Sequence, residues 1–377
     1  MRILVACDSF KECCSAIAVC QSIASGLQRS DLELDVCPLA DGGEGTLDVI
    51  AQSTPLKREP VTVTGPLAEP VLAEIGWFDG QVALIESASC IGLGLVPEPQ
   101  QNPLLTTSFG LGELVRHAQH HGARLVVVAL GGSSTVDGGI GMAQALGVQF
   151  QGIRTPASGG DLAHVSAIAP IDQLAATDFC VVVVTDVKSP LLGVKGAVRI
   201  FAPQKGATPP MVEDLERGMI HYSKLLFRAC SLRDESASPS NPQDLDGAMA
   251  SLGAGAAGGI GFALQQLFHA TATSGLDFVM RMVNFERRLE RADLVITGEG
   301  RLDDTSFEGK VVSGVVSRAI GKRVPVHVIC GTSTINSREW QSRGIARVRT
   351  LLELATDLSD AKHRVRELLA AAAVTSI

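Results

Sequence analysis

The chain has 377 residues, of which 46% are hydrophobic and 19% charged, a balance typical of a globular protein with two ordinary-sized domains rather than a disordered chain. Its formal net charge is −8 and no run of lysine and arginine exceeds a pair, which excludes a nucleic-acid-binding protein and a polybasic membrane binder. Aromatic residues make up only 4%, so small aliphatic residues must build the core, and this favours α/β layers.

The cysteines and the first residues bear on the compartment. Nine cysteines without CxxC spacing are typical of reduced thiols inside a cell. The apolar start of the chain is interrupted at Asp8, which is too early for the core of a signal peptide. No apolar stretch reaches the roughly 20 residues that a membrane helix needs. We therefore expect a cytoplasmic protein that binds no membrane.

The first 60 residues predict alternating strands and helices. Residues 3–7 and 32–38 have the pattern of short buried strands, with a helix over 15–28 between them and a glycine-rich loop, ADGGEGT, at 40–46. This β-α-β-α order is typical of a parallel sheet.

The pattern changes near residue 61, where VTVTGPL and VLAEIGWFDGQVALIESAS alternate like hairpin strands. A helix over 112–121 and strands over 125–130 and 179–185 follow. The polar segment 231–246 predicts a surface excursion.

Short buried strands with helices behind them return at 294–297 and 324–329. The sequence therefore predicts two α/β domains: a discontinuous, Rossmann- or flavodoxin-like parallel-sheet domain over 1–62 and 288–377, and an inserted α/β domain over 63–287.

Glycine and charged residues follow a strand or apolar run in five segments: CDSFKE at 7–12, ADGGEGT at 40–46, ALGGSSTVDGG at 129–139, VTDVKSP at 184–190 and TGEGRLDD at 297–304. Ligands bind where the strands of an open parallel sheet end. Glycine lets backbone amides approach phosphate oxygens, and carboxylates can hold a metal ion. The combination points to phosphoryl transfer.

The residues that could serve this chemistry fall into two groups. The cations are Lys11, Lys205, Arg301 and Lys310. The carboxylates are Asp41, Glu44, Asp137, Asp186, Glu299, Asp303 and Asp304. Taken singly, each is also explained as a helix cap or a solvated turn residue.

Other motifs carry less weight. There is no GxxxxGK[ST], so the chain is not a P-loop kinase. A GxGxxG match at 253–258, with Asp277 beyond it, suggests an NAD-binding site, but no convincing strand precedes it, so a glycine/alanine turn opening a helix over 259–269 is predicted.

Three histidines, His117, His120 and His121, have metal-like spacing on a helix. Because no carboxylate or cysteine completes a set, a solvated helix face is predicted instead.

The segments, taken in chain order, resemble the type I glycerate kinase family. The matching strings are DSFKE at 8–12, ADGGEGT at 40–46, VTGPL at 63–67, GGSSTVDGG at 131–139, PQKGAT at 203–208, GAGAAGG at 253–259 and LVITGEGRLD at 294–303. The resemblance implies a two-domain α/β kinase that uses ATP and magnesium to convert D-glycerate, usually at its 2-hydroxyl, to 2-phosphoglycerate. Val136, Lys188 and Ser189 depart from the family pattern.

With this family in view, roles are assigned as hypotheses. Arg301, with Lys11, would hold the carboxylate of glycerate. Asp186 or Asp41 would accept the proton of the attacking hydroxyl, and Lys205 would neutralise developing charge. Further substrate contacts are expected from Ser9, Glu44 and Asp304.

The phosphates of ATP would lie against a second group of residues, and magnesium against Asp186 and Glu299. The expected ATP-binding residues are Gly131, Gly132, Ser133, Ser134, Asp137 and Gly138, with the amide of Gly139 beside them.

Two alternatives remain at this point: an NAD(P)-dependent oxidoreductase of a small hydroxy acid, and a non-catalytic sensor of sugar acids or nucleotides. The expected partners are glycerate and ATP. The sequence is compatible with a homo-oligomer.

Overall fold

The structure is a computed structural model that describes residues 1–11, 13–171, 179–232, 242–307 and 309–376. Much of the predicted surface excursion at 231–246, and Glu12 of the DSFKE string, lie outside the described residues. The strands are β1 Arg2–Val5, β2 Glu33–Val36, β3 Lys57–Thr64, β4 Pro70–Phe78, β5 Val82–Glu86, β6 Leu125–Ala129, β7 Phe150–Gln151, β8 Ala167–Ile168, β9 Cys180–Val184, β10 Thr271–Thr273, β11 Leu294–Leu302, β12 Val326–Ser333 and β13 Arg347–Thr350.

The helices lie mostly between strands. They are α1 Ala16–Gly26, α2 Thr46–Ala51, α3 Ser87–Ile91, α4 Phe109–His120, α5 Ile140–Ala145, α6 Ala197–Phe201, α7 Pro209–Ser231, α8 Pro242–Ala250, α9 Ala256–Phe268, α10 Gly275–Met282, α11 Phe285–Leu289, α12 Val311–Lys322, α13 Ser337–Ser342, α14 Leu358–His363 and α15 Val365–Val374. None of them, as far as the described residues go, is both long and apolar enough to cross a membrane.

The chain folds into two compact units. Unit 1 comprises Met1–Pro55 and Ser274–Ile377, and unit 2 comprises Leu56–Thr273. The predicted domain limits fall inside β3 and α11, whereas the units divide in the connections that precede β3 and α10. Unit 2 begins before β3 and not within it, because β3 pairs with β4 from Lys57 onward. The whole of β3 therefore belongs to the sheet of unit 2.

Unit 1 contains a five-stranded sheet in the order β2-β1-β11-β12-β13, with every pair parallel. Numbered within the unit, this is the order 2-1-3-4-5 of a flavodoxin-like sheet, so the predicted α/β fold class is confirmed. The order reverses between β1 and β11. In open sheets of this type the carboxyl ends of the strands at such a switch point form the ligand-binding crevice.

Burial explains why unit 1 adopts this arrangement. Ile3, Leu4 and Val5 of β1 are fully buried, as expected for a central parallel strand covered on both faces. Helix α1 begins where the Ser15 hydroxyl accepts a hydrogen bond from the amide of Ala18, and it packs against α15. The helix predicted over 15–28 is thus present in slightly shorter form.

Unit 2 contains a six-stranded sheet in the order β10-β9-β6-β5-β4-β3. Strands β3, β4 and β5 are antiparallel neighbours, which confirms the predicted hairpins, and β5, β6, β9 and β10 are parallel. The central strand β6 is a continuous apolar run, LVVVA, and four of its five residues are buried, as expected for a parallel strand covered on both faces. Its carboxyl end leads into the second glycine-rich loop.

The GxGxxG match does not form a dinucleotide-binding turn. Helix α8 precedes it where the fingerprint requires a strand. Ala257, Gly258 and Gly259 all have positive φ angles at the start of α9, so the predicted turn is confirmed. A β-carbon at position 258 would lie 2.2 Å from the carbonyl oxygen of Thr135, so only glycine fits there.

Strand β11 continues further than predicted, through Leu302 rather than 297. The segment TGEGRL therefore belongs mostly to a strand and not to a loop. It stays paired with β12 because glycines allow close approach: a β-carbon at Gly298 would lie 2.0 Å from the carbonyl oxygen of Ile329.

Candidate active site

Three carboxylates lie at the carboxyl ends of neighbouring strands in unit 1. Asp8 follows β1, Asp41 follows β2, and Glu299 lies within the extended end of β11. The amide of Asp8 donates to the carbonyl of Gly298 at 3.0 Å, which holds the loop after β1 against β11. We call Asp8, Asp41 and Glu299 the carboxylate cluster. It occupies the switch point where an α/β sheet of this order binds its ligand.

The carboxylate cluster concentrates negative charge that is only partly compensated. Burial, then the charge of Asp41 and also that of Glu299, raises the pKa of Asp8 to about 7, while the Ser9 amide and Lys11 oppose the shift. Burial also raises the pKa of Glu299. Such shifts arise where like charges meet in a poorly solvated site, and a bound cation would relieve them.

One carboxylate oxygen of Glu299 could serve as a metal ligand. Its Oε1 is buried and has no hydrogen-bond partner in the described part of the chain. A buried charged oxygen without a partner is costly unless a ligand completes its coordination. Carboxylate oxygens are the protein ligands that Mg²⁺ prefers, so the residues of the cluster fit such an ion.

The loop that carries Asp41 is held by local hydrogen bonds. Oδ1 of Asp41 accepts from the amide of Gly43 at 3.0 Å, and Gly45 adopts a φ of +85° before α2 begins. Gly275 lets α10 pack against this loop, because a β-carbon there would lie 2.0 Å from the Asp41 carbonyl oxygen. Glu44 is exposed at the rim.

The cations of unit 1 lie at the solvent side of β11 and its flanking loops. Arg301 is 65% exposed, with its Nε 3.2 Å from Asp303, and Lys310 donates to the hydroxyl of Thr305 at 2.7 Å. Lys11 is exposed and Ser9 half-buried in the loop after β1. Arginine and lysine placed this way can contact a small anion from solvent.

Asp304 has a different environment. Its side chain is 81% exposed and pairs with Arg343 at 2.7 Å. A carboxylate already matched with a cation has little electrostatic reason to contact another ligand, so its predicted contact with substrate stays a prediction.

In unit 2 the glycine-rich loop after β6 presents a short row of amides. Those of Gly131, Gly132 and Ser133 make no hydrogen bond among the described residues. Gly132 has a φ of +67°, a left-handed conformation of the kind found in anion-binding backbone nests. We call these three residues the amide loop.

The predicted cradle also includes Ser134, Gly138 and Gly139, whose amides have partners within the protein. The amide of Ser134 donates to the Ile91 carbonyl at 2.8 Å, and that of Gly138 donates to the Gly258 carbonyl at 2.9 Å. Gly139 donates its amide to Asp137 at 3.0 Å. These amides hold the loop and are not free for phosphate.

Asp137 is fully buried and its carboxylate is engaged inside the unit. It accepts hydrogen bonds from the amide and hydroxyl of Ser108 at 2.9 and 2.7 Å, as well as from Gly139 and Gly141. Burial raises its pKa despite these bonds. Asp137 therefore braces the start of α5, which the turn-like sequence VDGG could not reveal, and its predicted contact with ATP stays a prediction. Val136 beside it is also fully buried.

Lys205 lies directly beneath the amide loop. It is 4% exposed, and its Nζ donates to Ser133 Oγ at 3.0 Å and to the Thr135 carbonyl at 2.7 Å. Burial lowers the pKa of Lys205 to about 7, while Asp137 acts in the opposite direction. The ammonium is a positioning group for the loop; the predicted direct role in neutralising charge stays a prediction.

Asp186 follows β9, beside the strand that carries the amide loop, and is half-buried. The amide of Val187 donates to the hydroxyl of Thr185, and Lys188 is exposed. Asp186 belongs to unit 2 and Glu299 to unit 1, so their predicted pairing around magnesium stays a prediction.

Asp8 is the residue that the sequence analysis missed. In the segment CDSFKE the predicted site residues are Ser9 and Lys11, yet Asp8 is the first charged residue after β1. Its position after a buried strand, like that of Asp41 after β2, was the available signal. The raised pKa could not be foreseen, because it depends on Asp41 and Glu299, which are distant in sequence.

A flavodoxin-like sheet with carboxylates at its switch point, and a second α/β unit with an amide loop over a buried lysine, are typical of enzymes that handle phosphorylated ligands. The family profile of glycerate kinases matches residues 3–376. The chain belongs to the glycerate kinase family and is a kinase.

Individual relatives match over nearly their whole lengths. The chain is 38% identical to a glycerate kinase of Bacillus subtilis over 97% of this chain and 94% of the other. It is 38% identical to a glycerate 2-kinase of Escherichia coli over 96% and 93%. A crystal structure described as glycerate kinase 2 from Salmonella typhimurium LT2 is similar with a TM-score of 0.76 and 36% identity, covering 100% of this chain and 98% of the other.

Proposed function

We propose that this kinase transfers the γ-phosphoryl group of ATP to the 2-hydroxyl of D-glycerate, giving 2-phosphoglycerate and ADP. The observation that carries the proposal is the carboxylate cluster of Asp8, Asp41 and Glu299 at the switch point of unit 1, in a chain of the glycerate kinase family. The choice of the 2-hydroxyl rests on the relative named glycerate 2-kinase, which is similar over 96% of the chain.

The cluster provides the ligands for magnesium. Asp8 and Glu299 would hold the ion, and the unpaired Oε1 of Glu299 is the atom with most to gain from it. When bound there, Mg²⁺ would supply positive charge that offsets the charge developing on the transferred phosphoryl group. Asp186 remains the proposed further ligand from unit 2.

Glycerate is a small hydroxy acid, so its carboxylate needs a cation. Arg301 offers two parallel N–H donors to a carboxylate, and its 65% exposure leaves the guanidinium accessible despite its contact with Asp303. Lys11 adds a second positive charge on the loop after β1. Glu44 and Ser9, on neighbouring loops, would contact the hydroxyls.

A carboxylate must accept the proton of the attacking hydroxyl. Asp41 and Asp186 are the two proposed bases, each half-buried in the loop that follows a strand. Asp41 keeps one carboxylate oxygen on the Gly43 amide, which orients the other. A positioned base of this kind contributes roughly 10²–10⁴-fold to the rate.

The phosphates of ATP would lie against the amide loop. Its three unpaired amides supply donors for anionic oxygens, and the ammonium of Lys205 beneath Ser133 fixes the loop and adds positive potential. The buried lysine thus acts on ATP through the loop that it supports.

An assay that couples ADP release to a visible signal tests the proposal. D-glycerate, other hydroxy acids and sugar acids are compared with ATP and Mg²⁺ present. Rapid ADP release with D-glycerate is expected. Its absence with every acid, together with unaltered ligand binding, would favour the non-catalytic sensor, whereas tight NAD(P)H binding would favour the oxidoreductase.

A further inference from the structure

One contact between a strand and a helix in unit 2 gathers two imidazoles and a carboxylate. Glu59 lies on β3, while His117 and His121 lie one turn apart at the end of α4. One ligand atom from each of the three side chains lies within 4.8 Å of the other two. Strand β3 therefore supplies the carboxylate whose apparent absence from the sequence led to the prediction of a solvated helix face.

This group is separate from the amide loop. Helix α4 ends at His120 and β6 begins at Leu125, so the histidines lie at the amino end of the parallel strands. The amide loop follows the opposite, carboxyl end of β6. Neither imidazole has a role in the phosphoryl transfer proposed above.

The carboxylate is held in place from two sides. Glu59 Oε1 lies 2.9 Å from Nε2 of His117, and Oε2 accepts a hydrogen bond from the indole of Trp77 at 2.8 Å. Those contacts, the one to His117 above all, lower the pKa of Glu59 and keep it ionised. A carboxylate fixed by a buried indole resembles a metal ligand oriented by its neighbours.

The backbone contact of His121 leaves its Nε2 available as a ligand atom. Its Nδ1 lies 2.8 Å from the carbonyl oxygen of His117, and a carbonyl can only accept, so Nδ1 carries the proton. The neutral ring then keeps its lone pair on Nε2. Metal-binding histidines commonly donate their other N–H to a backbone carbonyl in this way. The two rings are stacked with centroids 3.9 Å apart.

We propose that Glu59, His117 and His121 bind one divalent transition-metal cation of the zinc type. Two imidazoles and a carboxylate are the ligands that zinc takes, often with water in the fourth position. Magnesium, which prefers oxygen ligands, is disfavoured here. On binding, the metal takes the place of the proton shared by His117 and Glu59, and it links the edge strand β3 to the end of α4.

Calorimetric titration of the full chain with zinc, in a buffer with excess Mg²⁺ to saturate carboxylate sites, tests the proposal. One zinc ion per chain is expected to bind. His121→Ala and, independently, Glu59→Gln should each raise the Kd at least about tenfold, since even residues that only orient metal ligands contribute that much.

His120→Ala is the matched control, because His120 is also exposed at the end of α4 but is not part of the ligand set. It should leave the zinc Kd unchanged, and zinc should raise the Tm of this variant and of the wild type alike. Equal zinc affinity in all four proteins, or no stoichiometric binding by the folded wild type, would overturn the proposal.

Discussion

The pKa values of Asp8 and Lys205 both shift toward neutral pH, in opposite directions. Burial and neighbouring carboxylates raise the pKa of Asp8 from 3.8 to about 7, and burial lowers the pKa of Lys205 from 10.5 to about 7. For each group, the charged form in the folded state lowers the free energy of unfolding. Residues held this way are more common at functional sites than in ordinary cores.

For Asp8 the consequence is a stability that falls as pH rises. Between about pH 4 and 7 the folded state binds the proton more tightly than the unfolded state, so the free energy of unfolding decreases across that window. Asp8→Asn should therefore be more stable than the wild type at pH 8, by about 1–3 kcal/mol, with little difference at pH 4.5. Urea unfolding in EDTA measures this. A variant less stable than the wild type at pH 8 would show that the carboxylate cluster is not repulsive.

For Lys205 the pH dependence has the opposite sign. The unfolded state binds more protons between about pH 7 and 10.5, so the free energy of unfolding rises with pH there. Lys205→Met should remove this rise and also increase the KM for ATP, because the amide loop loses its support. Lys195→Met, an exposed site in the same unit, is the control. Unchanged KM and pH dependence would make Lys205 an ordinary core residue.

The base is tested by two conservative variants. Asp41→Asn and Asp186→Asn keep the size of the side chain but cannot accept the proton, so kcat should fall by roughly 10²–10⁴-fold in the variant that removes the base. Asp79→Asn, at an exposed turn with a φ of +49°, serves as the control and should behave as wild type. If both test variants keep near-normal turnover, a group other than Asp41 and Asp186 accepts the proton of the attacking hydroxyl.

At the scale of elements, glycines decide how the amide loop is held. Gly258 has a φ of +67° and leaves no room for a side chain beside the Thr135 carbonyl, on the segment that Lys205 also contacts. Gly258→Ala should therefore lower the free energy of unfolding by about 2 kcal/mol or more and raise the KM for ATP.

Gly247→Ala is the matched comparison within the same unit. Position 247 lies in α8 with open space around it, so alanine there should stabilise by about 0.5–1 kcal/mol. Thermal unfolding of both variants distinguishes a requirement for glycine from a general effect of the substitution. A Gly258→Ala protein as stable as the wild type would mean that the loop can shift.

Elements were predictable where local pattern dominates. The apolar run of β6, the alternation of β3 to β5 and the start of α1 near Ser15 are all visible in the sequence. The extent of β11 was not, since Gly298 and Gly300 look like loop residues until the pairing with β12 is known. Roles that depend on tertiary contacts, such as the bracing function of Asp137, were equally hidden.

At the scale of the whole molecule, the resemblance in seven ordered strings predicted the family correctly, and the alternating pattern at both ends of the chain predicted the parallel sheet. What sequence order could not reveal is which side chains from distant segments meet. The carboxylate cluster joins residues 8, 41 and 299, and the proposed zinc site joins residues 59, 117 and 121. Both depend on strand order.

Phosphorus NMR of the reaction product tests the central claim most directly. With ATP, Mg²⁺ and D-glycerate, the phosphorus signal of 2-phosphoglycerate should split into a doublet, because its carbon carries one proton. A triplet would identify the 3-phosphate and contradict the 2-hydroxyl as acceptor. No phosphorylated glycerate at all, from a folded protein that binds both substrates, would contradict the proposed reaction itself.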